Sequence, residues 1–213
     1  MSFELFDPEQ EFTIEYGNLP HWYQPGIIYF VTFRTADSVP AALMDDWQRR
    51  RSDWLRSRGV AKDANLEMLP ENIRRQYHRI FSLEFLDYLD RGYGECVLKR
   101  AELAKIVMDS LLFFDGRRYD VSDAVVMPNH VHILLCLKGA AEVQSQCRSW
   151  KHFTAVEINK ALGRSGEFWQ TESFDHAVRT PAAFAGLRRY IAENPIKAGL
   201  RKGEYLLYQY DAK

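Results

Sequence analysis

Two histidines separated by a single residue lie inside the run Pro128-Asn129-His130-Val131-His132. In a strand, side chains two apart point to the same face. The spacing therefore sets two imidazoles side by side, while Val131 and Ile133 pack on the other face. Neutral imidazoles on a rigid strand supply half of a divalent-metal site. Taken alone, the pair also fits two histidines on a strand's solvent face.

A second group is Tyr190-Ile191-Ala192-Glu193-Asn194-Pro195. Tyr190 and Asn194 are four apart, hence neighbours on one helix face. Phe184, Leu187 and Ile191 form the apolar stripe, with Tyr190 and Asn194 on one flank and Arg189 and Glu193 pointing away. The plain reading is an amphipathic tyrosine at the rim of a core and an asparagine before a helix-ending proline. Joined to the histidines, the group gains a chemistry. Two imidazoles and an amide oxygen can hold a divalent ion without cancelling its charge, leaving it free to attract a phosphodiester oxygen. An unperturbed tyrosine titrates near pH ~10, so only on the order of one in a thousand is phenolate at neutral pH. A nearby cation favours the phenolate and makes it a nucleophile. Attack on phosphorus then gives a covalent phosphotyrosine. This is an ester of similar energy to the one broken, so the step permits rejoining as well as cleavage.

The surrounding elements follow from pattern. Ile27 to Phe33 is a β-branched and aromatic run that reads as a buried strand. Ser38 and Pro40 open a helix carrying Leu43, Trp47 and Trp54, with Gly59 as its stop. A second helical stretch follows Pro70, Gly92 and Gly94 break the chain, and a third helix covers roughly Arg100 to Phe114. Tyr119 to Val126 and His130 to Leu137 read as a hairpin turned by Met127-Pro128-Asn129. A helix from Val143 ends near Gly163, and a short aromatic segment, Phe168 to Val178, leads to a last helix. Thr180 is its N-cap and Pro181 its first residue, with Asn194-Pro195 expected to end it. The order predicts an α+β fold with helices against an antiparallel sheet.

Composition narrows the class. Of 213 residues, 46% are hydrophobic and 27% charged, which is enough apolar side chain for a core and argues against disorder. No apolar run approaches the ~20 residues a bilayer span needs. Met1 to Gly17 carries five acids and no base, unlike a signal peptide. Three scattered cysteines, Cys96, Cys136 and Cys147, include no CxxC, which excludes a thiolate zinc motif and a disulfide framework. The expectation is a soluble, cytoplasmic protein with no membrane partner. The formal charge of −1 is uneven: residues 1–140 hold 17 Lys and Arg against 21 Asp and Glu, residues 141–213 hold 11 against 8. That asymmetry decides nothing alone.

The residues reach a known family. His130-Val131-His132 resembles the His-hydrophobic-His (HUH) signature. The runs Val126 to Leu135 and Tyr190-Ile191-Ala192-Glu193-Asn194-Pro195-Ile196-Lys197-Ala198-Gly199-Leu200 look like the single-tyrosine HUH transposases, most of all their branch associated with repetitive extragenic palindromes. Phe168-Trp169-Gln170 and Phe174 to Arg179 match that branch too, and the resemblance runs from about His21 to Leu200. It implies a ferredoxin- or RRM-like palm and a Mg²⁺ or Mn²⁺ cofactor. It also implies cleavage of single-stranded or hairpin DNA that leaves a 5′-phosphotyrosine. Carried over by position, His130 and His132 are metal ligands, Tyr190 the nucleophile and Asn194 the third ligand, a role many members give to Gln. Relatives act as monomers or as homodimers sharing a site, so the oligomeric state stays open. The implied layout is an acidic extension over 1–20, a catalytic domain over 21–205 with a helical insertion at about 38–91, and a tail over 206–213.

Other residues are weaker candidates. Lys151, His176, Arg179, Arg188 and Lys197 are candidates for contacting DNA phosphates, and each also reads as an ordinary structural or solvated group. Trp150 and Trp169 suit base stacking but fit a core as well. Two rival functions stand beside strand transfer. One is a silent regulator that binds palindromic DNA. The other is a small metal-dependent hydrolase, which would need an acid near the histidines; the one near in sequence, Asp123, lies seven residues before His130.

Overall fold

The computed structural model describes residues 4–7, 9–16, 20–61, 69–139 and 142–210. Two short strands, β1 (Thr13–Tyr16) and β2 (Pro20–Tyr23), pair antiparallel as a separate ribbon. The main sheet has five strands: β3 (Ile28–Arg34), β4 (Tyr119–Val126), β5 (His130–Leu137), β6 (Phe174–Ala177) and β7 (Leu206–Gln209). Their order is β6-β3-β5-β4-β7, every pairing is antiparallel, and β5 lies at the centre. Every residue of β5 is buried, as a central strand covered on both faces requires. Without β7, the chain runs strand–helix–strand–strand–helix–strand with its first and third strands innermost, the ferredoxin-type arrangement.

Alternation along the strands divides the core in two. On one face Val31, Phe33, Val131, Ile133, Leu135, Ala124 and Val126 pack against helices α4 (Ala101–Leu112) and α5 (Val143–Leu162). Buried Leu103, Val107 and Leu111 give α4 the one-turn spacing that such a face demands. On the other face Ile28, Phe30, Leu134, Val125 and Met127 pack beneath helix α6 (Pro181–Lys197), through Phe184, Leu187, Tyr190 and Ile191. His130 and His132 belong to this second face. The β4–β5 turn closes with Met127 N–H donating to His130 O at 2.8 Å, and Pro128 at its first turn position presets the bend.

Between β3 and α4 stand three further helices, α1 (Ala41–Arg56), α2 (Glu71–Tyr77) and α3 (Leu83–Asp90). A π-turn at His78–Ser82 joins the last two into one run. They hold together through Trp47, Leu55, Tyr77, Phe81, Phe85 and Leu89. Arg50, at 2.9 Å from Glu84, ties α1 to α3.

One sequence expectation needs correcting. Helix α6 does not stop at Asn194-Pro195 but continues to Lys197. Proline lacks only its own N–H bond and tolerates a final turn; the stop comes at Gly199, with φ +67 and Leu200 N–H on Pro195 O. Within the C-terminal tail, residues 206–209 form an edge strand on β4. Within the acidic N-terminal extension, Phe6 joins the core, and its N–H donates to Val178 O at 2.9 Å. The rest of those two segments, 1–3, 8, 17–19 and 211–213, lies outside the described residues. Among the described residues, no helix is long and apolar enough to cross a membrane.

Candidate metal and nucleophile site

His130 and His132 project from β5 with ring centroids 4.7 Å apart. Both are buried, so the solvent-face reading of the pair does not hold. Burial drives the pKa of His130 down to about 3 and that of His132 well below its usual range, with His130 adding to the latter. Both rings are therefore neutral and carry a nitrogen lone pair.

Hydrogen bonding fixes which nitrogen that is. The Asn129 amide N–H donates to Tyr93 O at 3.0 Å, so its Oδ1 must face the 2.8 Å contact with His130 Nδ1. An amide oxygen only accepts, hence Nδ1 of His130 carries the proton and Nε2 carries the lone pair. That Nε2 is buried and meets no hydrogen-bonding partner among the described residues. His132 Nδ1 contacts Thr32 Oγ1 at 2.7 Å across β3, which orients its Nε2 towards the Tyr190 hydroxyl at 3.3 Å. Phe30 stacks on His132 at 5.2 Å between centroids and meets the edge of Tyr190 at 6.1 Å, holding both rings in place.

From α6, Tyr190 and Asn194 both turn towards the sheet, as their four-residue spacing predicts. Burial pushes the Tyr190 phenol well above its usual range, the Asp90 carboxylate adds to this, and the Asn194 amide opposes it. Asn194 is fully buried. Its Nδ2 donates to Asp90 Oδ1 at 3.1 Å, which leaves its Oδ1 as a second buried atom with no partner among the described residues.

Asp90 is the residue that sequence reasoning missed. It ends α3, inside the helical insertion, and its Oδ1 lies 3.8 Å from His130 Nε2. Burial raises its pKa to about 6. Nothing in the sequence marks it, because it meets Asn194 across a separation of 104 residues. A cavity of about 140 Å³ opens beside it, lined by Asp90, Arg91, Lys99, Asn129 and His130.

A divalent cation fits this donor set on two counts: the unused lone pairs of His130 Nε2 and Asn194 Oδ1 are buried, and burial without a partner is costly. Among the described residues, no three His, Cys, Asp or Glu side chains form a ready cage. The convergence is instead of mixed donor type, and His132 is turned to Tyr190.

The weaker candidates divide. Lys197 stays near Tyr190, 6.0 Å from its ring centre and paired with Glu193 at 3.0 Å. His176 sits on β6 opposite Phe30, on the same sheet face as His132. Lys151 turns inward and donates to Gln170 O and Thr171 O at 3.2 and 2.6 Å, so it anchors a loop. Arg188 pairs with buried Asp123 at 2.7 Å, and the Arg179 guanidinium lies over Phe6 at 4.8 Å. Asp123, bonded also by Ser122 and Gln209, is thereby committed away from the histidines. Trp150 and Trp169 are core, bonded to Tyr119 and Thr154.

No family model matches the chain, and no curated protein matches it. Among solved structures, it is similar to a REP-associated tyrosine transposase bound to a REP hairpin. That alignment has 19% identity and a TM-score of 0.45, and covers 85% of this chain and 74% of that one.

Proposed function

We propose that the protein is a metal-dependent single-strand DNA endonuclease and strand transferase, of the single-tyrosine HUH transposase kind, acting on hairpin DNA. The observation that carries this reading is the meeting of Tyr190, His132, His130 and Asn194 from two elements. The lone pairs of His130 Nε2 and Asn194 Oδ1 are left without partners there, among the described residues. The hairpin substrate rests on the resemblance of the motifs around these residues.

His130, His132 and Asn194 would hold Mg²⁺ or Mn²⁺. When bound, such a cation withdraws charge from the non-bridging phosphate oxygens and favours the phenolate. The chain's own residues do the rest. Asn129 holds His130 in the tautomer that offers Nε2, and Thr32 orients the His132 ring so that its Nε2 faces Tyr190. Phe30 and Ile191 exclude water from one side of the phenol, which keeps Tyr190 protonated until a cation arrives. The Tyr190 hydroxyl lies 3.3 Å from His132 Nε2, so a cation held by that nitrogen would stand beside the phenol and favour its ionisation. The phenol proton leaves to water, the Tyr190 oxygen bonds to phosphorus, the bond to the 3′ oxygen breaks, and that oxygen takes up a proton from water. The products are a 5′-phosphotyrosine and a free 3′-hydroxyl strand, and the reverse attack by a 3′-hydroxyl rejoins DNA.

A denaturing-gel assay on labelled single-stranded hairpins in Mg²⁺, Mn²⁺ or EDTA tests this. The wild type should form a metal-dependent covalent adduct, and Tyr190→Phe should lose it while hairpin binding stays nearly intact. Hairpin binding with no adduct under any metal would instead favour a silent DNA-binding regulator.

A further inference from the structure

The helical insertion delivers a carboxylate to a site that is otherwise built on the sheet and on α6. Asp90 Oδ1 and His130 Nε2 stand 3.8 Å apart, too far for a hydrogen bond. At bonds of about 2.1 Å, two ligands of one octahedral ion stand roughly 3.0 Å apart as neighbours and roughly 4.2 Å apart as opposites, so a shift of under ~1 Å would let one ion take both atoms. The same Oδ1 accepts from Asn194 Nδ2 at 3.1 Å, which turns the amide so that its oxygen is the free end. His130 Nε2 and Asn194 Oδ1, both buried and without partners among the described residues, thus flank one carboxylate. Among the described residues, Asp90 has no ion pair with Arg or Lys that would otherwise account for its burial; its neighbour Asp87 takes Arg91 at 2.6 Å.

We infer that Asp90 is a ligand of the divalent cation, bridging it to His130, so that the insertion completes the metal site. This rests on the proposed metal site and deepens it by adding a ligand from the helical insertion. A carboxylate and an amide oxygen beside two imidazoles make a harder donor set than imidazoles alone, favouring Mg²⁺ and Mn²⁺ over softer ions. It also lowers the net charge the cation presents to a phosphate, which sets how tightly the site holds DNA.

Binding of Mn²⁺ by the full chain without DNA, followed by electron paramagnetic resonance, tests this. Asp90→Asn keeps the shape and the acceptor for Asn194, and should bind Mn²⁺ roughly tenfold more weakly or worse. Asp87→Asn, three residues away, should bind as the wild type does. Asp90→Cys should gain Cd²⁺ affinity relative to Mn²⁺ beyond both wild type and Asp90→Asn, a reversal that a residue acting only through Asn194 would not produce. Unchanged Mn²⁺ affinity in Asp90→Asn, with binding lost in His130→Ala, would overturn the role of Asp90 and leave the metal site standing. A wild type that binds no Mn²⁺ would overturn both.

Discussion

Each side chain of the candidate site has a nearby residue that bears on what it offers. Thr32 is the clearest case: its hydroxyl contacts His132 Nδ1 across the sheet, which selects the nitrogen left to face Tyr190. Thr32→Val keeps the shape and removes the hydroxyl, so Mn²⁺ affinity should fall roughly tenfold while the fold persists. An unchanged Mn²⁺ titration would show that the sheet alone sets the ring. At this scale the sequence was legible wherever a period ruled. The two-residue strand spacing placed His130 and His132 on one face, and the four-residue helix spacing placed Tyr190 with Asn194. It was illegible wherever a side chain's direction depended on a distant partner. Lys151 looked like a phosphate contact and instead caps backbone carbonyls, and Asp90 carried no signal at all.

The elements are held to the site by short connections whose geometry matters. The exit of the helical insertion passes through Tyr93, which takes the Asn129 amide, and through Gly94, at φ +86. A Cβ on Gly94 would stand 2.6 Å from the Asp37 carboxyl and 2.7 Å from the Asp37 carbonyl oxygen. Asp37 in turn accepts from Glu95 N–H at 2.7 Å, so the turn cannot shift without losing that bond. Gly94→Ala should lower stability by about 1–3 kcal/mol. Urea unfolding measures this, and a midpoint equal to the wild type's would contradict it. The helices around this turn were readable from Pro40, Pro70 and the aromatic spacing. Helix α6 was misread because a proline in the last turn forfeits little, and the stop lies at Gly199.

Across the whole molecule, the sheet is what makes two distant motifs one site. β5 runs through its centre, β3 brings Thr32 and Phe30, and α6 crosses the same face with Tyr190 and Asn194. The far edge contributes as well. β7 pairs with β4, Gln209 reaches Asp123 at 3.1 Å, and Tyr210 O accepts from Arg188 at 3.0 Å. A chain ending at Glu204 loses these bonds and bares the β4 edge. It should be less stable by about 2–3 kcal/mol, read by thermal or urea unfolding. An unfolding midpoint matching the full chain's would mean the edge strand is dispensable. The α+β order was visible in the sequence, but β7 was not. Its four residues lack a strong strand signal, and only the unpaired side of β4 calls for them.

The proposed strand transfer requires that Tyr190 become covalently bonded to DNA. Wild-type protein incubated with single-stranded hairpin DNA and Mn²⁺ should be digested with nuclease and trypsin, then analysed by peptide mass spectrometry. Cleavage after Arg189 and Lys197 isolates Tyr190 on a peptide with no second tyrosine. That peptide should carry a nucleotide phosphate with Mn²⁺ and none with EDTA. A nucleotide found instead on Tyr205, Tyr208 or Tyr210, or on no tyrosine despite tight hairpin binding, would contradict it.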